Sequence, residues 1–310
     1  MTGTPYISRS RDRSARTRRA GGRWKAVAVT AATSADGIVA RRVAVVTEHT
    51  ATLGDQPVFW RAAAEDPENP ATAPVLYLHG VPTASDQWLR FLARTGGLAP
   101  DLPGFGCSGK RGDGDFTIEG YARFVGDFLD LVEVDRIRLV VHDWGAAGLV
   151  WAQRHPERVE RLVILDSVPL LDGYRWHRLA RAWRTRALGE MLMGATTRFA
   201  LRRAMPRALA DAVWPYFDQG TQRAILRLYR TSPEARLAEA GRDLHRIDCP
   251  ALVLWGDRDP YVPARFADAY AAALGGEARA EHLPDAGHWA WYDSSDVVDR
   301  VATFLAAGRP

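Results

Sequence analysis

Between residues 43 and 166, and again from residue 251, short runs of valine, isoleucine and leucine are separated by amphipathic stretches of helical period. The runs are VAVV (43–46), VFW (58–60), VLYL (75–78), IRLVV (137–141), LVIL (162–165) and ALVLW (251–255). Between them lie segments such as IEGYARFVGDFLDLV (118–132) and AAGLVWAQRH (146–155). Strands with so few polar residues must be covered on both faces, which calls for helices packed above and below a mainly parallel sheet. The rhythm breaks over residues 167–245, which are rich in arginine and tryptophan and helical in pattern. The expected architecture is an α/β core built from 43–166 and 246–308. Residues 167–245 enter after the sixth strand as a helical lid over the carboxyl edge of the sheet, where open α/β sheets bind ligands.

Composition excludes several alternatives. With 310 residues and 47% hydrophobic content the chain can bury a large core. No apolar run approaches the ~18 residues of a membrane span. Two cysteines, Cys107 and Cys249, make neither a disulfide scaffold nor a cysteine-built zinc site, and they suit a reducing, cytoplasmic location. The net charge of +4 conceals an uneven distribution. Residues 1–25 carry eight cations and one acid, and 167–245 carry fourteen arginines and seven acids; the remainder is acidic. The basicity belongs to a tail and the lid, so a nucleic-acid partner is not expected. Residues 1–36 are expected to form a disordered basic tail. Two other readings of that tail are a twin-arginine export signal, from Arg18-Arg19 ahead of AVAVTAAT, and a contact with an anionic surface or nucleic acid.

Four constellations carry chemistry. In VVHDWGAAG (140–148) a strand ends and a helix begins, and the small residues Gly145, Ala146 and Ala147 permit a sharp turn that lifts Asp143 above the sheet. A serine hydrolase would have Ser there, but the chain has no G-x-S-x-G. A carboxylate at that apex can attack carbon and form an ester, or merely cap the helix. In LVLWGDRDPYVP (252–263) a loop after a strand bears Asp257 and Asp259, either of which can orient a histidine. Asp259 is preferred, since Asp257 suits a turn role. In LPDAGHWAWYD (283–293) His288 follows Gly287 ahead of the last helix. In LYLHGVPTASDQW (76–88), His79 and Gly80 let the chain turn and Pro82 stiffens it, exposing backbone N–H groups near Val81.

These segments resemble the haloalkane dehalogenase and epoxide hydrolase group of the α/β-hydrolases. The resemblance rests on H-G-x-P at 79–82, D-L-P-G-F-G-x-S at 101–108, H-D-W-G at 142–145, G-x-x-D at 256–259 and G-H-W at 287–289. It implies an eight-stranded α/β-hydrolase fold, a hydrolase without cofactor or metal, and small apolar organic substrates with water as co-substrate. It implies Asp143 as nucleophile, His288 as base and Asp259 as its acid. Val81 and Trp144 would supply the oxyanion hole and leaving-group donors. Asp166, at the end of LVIL, is a second position for the acid in one dehalogenase subgroup.

The leaving group stays open at this level. A halide needs N–H donors, whereas an epoxide oxygen needs an acid such as a tyrosine hydroxyl. Trp144 matches the halide-binding tryptophan of dehalogenases, with Trp176, Trp183 or Trp214 available as a second donor. Tyr229 resembles the lid tyrosine of epoxide hydrolases, with Tyr174, Tyr216 or His177 as its partner. A catalytically silent, ligand-binding relative is the remaining alternative.

Overall fold

The computed structural model describes residues 25–29, 44–64 and 73–307. Nine strands form one sheet: β1 (Lys25–Val29), β2 (Ala44–Leu53), β3 (Gln56–Ala63), β4 (Val75–Leu78), β5 (Gly97–Pro100), β6 (Ile137–His142), β7 (Val159–Leu165), β8 (Ala251–Gly256) and β9 (Ala278–Leu283). Their order is β1-β2-β3-β5-β4-β6-β7-β8-β9. Pairing is antiparallel from β1 to β5 and parallel from β5 to β9. Strands β4, β6 and β8 are buried along their whole length, as the near-continuous apolar runs require. Edge strand β9 (ARAEHL) is mostly half-exposed, which is why its sequence is mixed.

Strands β2–β9 make the eight-stranded α/β-hydrolase sheet, and β1 is a correction to the sequence reading. Residues 25–29 fall within the expected disordered tail, yet they pair antiparallel with β2, from Lys25 opposite Glu48 to Val29 opposite Ala44. KAVAV is short and extended in pattern, and β2 would otherwise present an unpaired edge. The rest of the expected tail, 1–24 and 30–36, lies outside the described residues.

Helices α1 (Leu89–Thr95), α2 (Ile118–Leu131) and α3 (Ala147–Ala152) follow β4, β5 and β6. Between β7 and β8 come α4 (Arg178–Arg184), α5 (Leu188–Gly194), α6 (Arg198–Ala204), α7 (Arg207–Val213), α8 (Gln219–Thr231) and α9 (Glu234–Ala240). Helices α10 (Phe266–Ala273), α11 (Ala290–Asp293) and α12 (Val297–Ala306) complete the chain. Helix α8 ties the lid helices to the loop after β5. Asp218 caps it by accepting from Thr221 N (3.0 Å), and Thr221 Oγ1 donates to the Gly104 carbonyl (2.9 Å). Gly104 has φ +92°, and a Cβ there would lie 2.5 Å from Ala224 of α8, so glycine permits both the turn and the close approach. The loops after β4, β6, β7, β8 and β9 all leave the same carboxyl edge, beneath these helices.

Candidate active site

The strand-to-helix turn after β6 holds Asp143 at φ +49°, a left-handed conformation that costs a non-glycine residue about 1–3 kcal/mol. Neighbours brace it: the Asp143 carbonyl accepts from Val168 N (3.0 Å) and Ser167 Oγ (3.1 Å). The turn is possible because its neighbours are small. A Cβ at Gly145 would sit 2.2 Å from the Leu78 carbonyl oxygen, and one at Gly148 would sit 2.5 Å from Leu78 Cδ1. Asp143 Oδ1 accepts from Val81 N at 2.7 Å, and the Trp144 backbone N–H also supports the carboxylate. Lifted above the sheet as expected, the side chain is nevertheless buried, with Asp143 only 5% exposed, because the lid covers it. Burial raises its carboxyl above the usual range, while His288 and the N–H groups of Val81 and Trp144 pull it back.

His288, in the loop after β9, faces this carboxylate. Its Nδ1 is 2.7 Å from Asp259 Oδ2, and its Nε2 is 3.7 Å from Asp143 Oδ2. The other Asp259 oxygen accepts from Tyr261 N (2.7 Å) and Val262 N (3.0 Å), so the loop's own backbone fixes the acid. Burial disfavours the imidazolium, but the Asp259, Asp143 and Asp166 charges outweigh it and push His288 up to about 9. Asp257 turns away to the surface, where it pairs with His282 Nδ1 at 2.7 Å.

Asp166 is fully buried with φ +39°. Its Oδ1 accepts from Gly256 N (2.8 Å), and its Oδ2 has no partner among the described residues. Burial, reinforced by the Asp259 charge, holds this carboxyl well above the ordinary range. It braces the start of the Asp259 loop and makes no bond to His288 Nδ1.

Two more histidines are neutral supports. His79 Nε2 accepts from Leu102 N (2.8 Å), which leaves Nδ1–H to donate to the Gly80 carbonyl (2.8 Å). His142 Nε2 lies 2.9 Å from the His288 carbonyl, and its ring packs 4.6 Å from the His288 ring. Burial and the His288 charge hold it well below its ordinary value. Sequence reading treated His142 as part of a motif only; its contact with His288 joins residues 146 positions apart and leaves no local signal.

Above the triad lies a cavity of about 300 Å³, apolar in most of its lining. Val81, Pro82, Asp143 and His288 form its floor, and Tyr174, Trp176, His177, Trp183 and Tyr229 come from the lid side. Burial and the Asp143 charge raise Tyr229 well above its usual range, offset in part by the Trp144 indole N–H. The Tyr174 hydroxyl is buried with no partner among the described residues, and burial raises its pKa too. His177 is pushed down to about 4 by burial and the His288 charge. Its Nδ1 accepts from Ala180 N (3.2 Å) and caps α4.

The structure sorts the remaining candidates. The Trp144 indole does not line the cavity: it is stacked 5.4 Å beneath Trp176 and meets Tyr229 edge-on at 5.1 Å. Its Nε1 is buried and makes no hydrogen bond of normal geometry among the described residues. Trp176 Nε1 already donates to the Ser232 carbonyl (3.0 Å). Trp214 is exposed, and neither it nor Tyr216 lines the cavity. Trp289 of the G-H-W motif lines it, as does Tyr261, for which the sequence gives no role; Tyr261 donates its hydroxyl hydrogen to the Ala204 carbonyl (2.7 Å).

Residues 73–295 match the family described as alpha/beta hydrolase fold. A haloalkane dehalogenase of Mesorhizobium japonicum is 29% identical over 262 residues, covering 74% of this chain and 84% of the relative. One from Agrobacterium fabrum is 31% identical over 215 residues, covering 60% and 70%. The crystal structure of haloalkane dehalogenase DbeA from Bradyrhizobium elkani superposes with a TM-score of 0.70 at 24% identity, covering 84% of this chain and 98% of that one. At that identity the likeness speaks for the fold, and the sequence relatives speak for the group. The buried triad geometry, the family match and these relatives together make the chain a hydrolase of the α/β-hydrolase family, in its haloalkane dehalogenase group.

Proposed function

We propose that the enzyme hydrolyses small apolar haloalkanes through a covalent ester on Asp143. The observation that carries this reading is the pair of distances at His288: 2.7 Å from Nδ1 to Asp259 and 3.7 Å from Nε2 to Asp143, under a mostly apolar cavity. Asp143 Oδ1 is taken by the Val81 N–H, which leaves Oδ2 to attack carbon as the carbon–halogen bond breaks and the halide departs with the electron pair. At 3.7 Å, His288 Nε2 is not bonded to Oδ2 and is free to act on water. Once the ester forms, the Asp143 charge disappears, and with it one cause of the high His288 pKa. The ring then gives up its Nε2 proton to solvent, and the neutral imidazole takes a proton from water as hydroxide adds to the ester carbonyl carbon. The N–H groups of Val81 and Trp144 stand where the carbonyl oxygen gains negative charge. Collapse releases the alcohol and restores Asp143.

The departing halide is received by donors on the lid side, the Tyr229 and Tyr174 hydroxyls, with the Trp144 indole behind Tyr229. Those same two phenols favour a second reading, opening of an oxirane, in which one O–H protonates the departing alkoxide while Asp143 attacks carbon. The test is a parallel screen with 1-bromobutane and 1,2-dibromoethane for halide release, and styrene oxide for diol formation. Halide release that disappears in Asp143→Ala supports the first reading. Diol formation alone assigns the second. Turnover retained by Asp143→Ala refutes both.

A further inference from the structure

We propose that the face of α4, α5 and α6 around the cavity mouth docks onto an anionic lipid surface, from which apolar substrate enters the site. Among the described residues the exposed large hydrophobic side chains are Val45 and five from the lid helices: Leu179, Leu188, Met191, Phe199 and Trp214. Met191 is 63% exposed and Phe199 69%. Large apolar side chains left this exposed on neighbouring elements mark an interaction surface.

Their position relates them to the cavity. Of the residues lining it, Leu179, Ala195, Ala200 and Ala204 are themselves exposed, so the mouth opens between α4, α5 and α6. Met191 stands one helical turn before Ala195, and Phe199 is adjacent to Ala200. Neither Met191 nor Phe199 lines the cavity; both are exposed on α5 and α6, which bound its mouth.

Charge selects the partner. Residues 175–211 hold nine arginines against Glu190 and Asp211. Asp211 is shared by Arg198 and Arg202, while Glu190 pairs with Arg230 of α8. Exposed Arg178, Arg181, Arg186, Arg203 and Arg207 make no ion pair among the described residues, and Arg203 lies 5.8 Å over the Phe199 ring. Aromatic and aliphatic side chains among unpaired cations are the composition of a surface that enters the headgroup region of an anionic bilayer. A second copy of this face would bring like charges together, which argues against self-association.

The test is co-sedimentation of the full chain with vesicles of 7:3 phosphatidylcholine and phosphatidylglycerol, against phosphatidylcholine alone. The parent is expected to partition onto the anionic vesicles and not onto the neutral ones. Met191→Ser/Phe199→Ser is expected to lower the partition coefficient about tenfold or more, since two apolar side chains no longer insert. Arg178→Gln/Arg181→Gln/Arg186→Gln is expected to lower it about fivefold per arginine. Both variants should keep the parent melting temperature. Residues 1–25 are common to all three proteins and contribute a constant background. Equal partitioning of parent and variants overturns the proposal, as does a parent that ignores anionic vesicles. A parent that sediments at twice the mass of the Met191→Ser/Phe199→Ser protein also overturns it, assigning the face to a second copy. None of these results depends on the leaving group.

Discussion

Gly80→Ala tests the proposed nucleophile, Asp143, without replacing it. A Cβ built at Gly80 falls 2.3 Å from both Asp143 Cβ and Oδ1, where ordinary contact begins at 3.4 Å. Gly80 is absent from the positive-φ positions, so alanine meets no backbone strain there. The clash must be relieved by moving the Asp143 side chain and, because its Cβ is fixed to the backbone, the turn that carries it, by about 1 Å, away from the Val81 N–H that now holds Oδ1 at 2.7 Å. A displacement of that size at a reacting atom costs about 10²-fold in rate, or about 2.7 kcal/mol of transition-state energy. Overpacking should cost stability only about 1–3 kcal/mol. The assay pairs steady-state turnover with calorimetric melting. The expected result is a folded protein with kcat/KM down about 10²-fold. Gly145→Ala is the contrast: its Cβ meets the Leu78 backbone oxygen at 2.2 Å, which cannot move aside, so folding itself should fail. A Gly80→Ala enzyme within threefold of the parent would refute the idea that this loop fixes the nucleophile.

Three further expectations follow from the same geometry. Asp259→Asn removes the negative charge that orients His288 and supports its imidazolium, so ester hydrolysis should slow by about 10⁴-fold and intact-mass measurement should find the enzyme esterified, whereas Asp166→Asn should turn over without trapping; the reverse pattern makes Asp166 the acid. Because folding raises His288 from 6.5 to about 9, its contribution of about 3 kcal/mol is complete below pH 6.5 and lost as pH climbs through 9. Urea midpoints between pH 7.5 and 9.5 should fall for the parent and flatten in His288→Gln; parallel slopes contradict the assignment. Tyr229→Phe should leave haloalkane turnover within about tenfold but reduce any oxirane turnover by about 10²-fold or more, measured as halide and diol.

The parts of the site legible in the sequence are those fixed by short local motifs. Asp143, Asp259 and His288 each follow a strand with glycine close by, because a side chain raised from a sheet edge needs a tight turn. Asp259 is preferred over Asp166 because its loop follows the strand after the lid and leads directly through one helix and one strand to His288, while resemblance to one dehalogenase subgroup speaks for Asp166. The geometry adds that Asp166 is occupied with Gly256 N and Asp259 with His288. What failed to show was tertiary. Strand β5 reads GLAP, a turn by composition, and is a strand only because β3 and β4 flank it. Helices α4 to α7 have seven residues each, too few for a period to reveal which face points inward. Hence Trp176, Trp183 and Trp214 looked equivalent in sequence, while in the fold one bonds Ser232, one lines the cavity and one faces outward.

The central claim is that an Asp143 oxygen becomes the product oxygen. Multiple turnovers in ¹⁸O-labelled water, followed by mass spectrometry of the peptide containing Asp143, test it with whichever substrate the screen identifies. The account predicts that a single turnover with excess enzyme yields unlabelled product oxygen, and that repeated turnover places ¹⁸O in the Asp143 carboxylate. Labelled product from the first turnover, with no label in that peptide, would mean that water attacks the substrate directly and no ester forms.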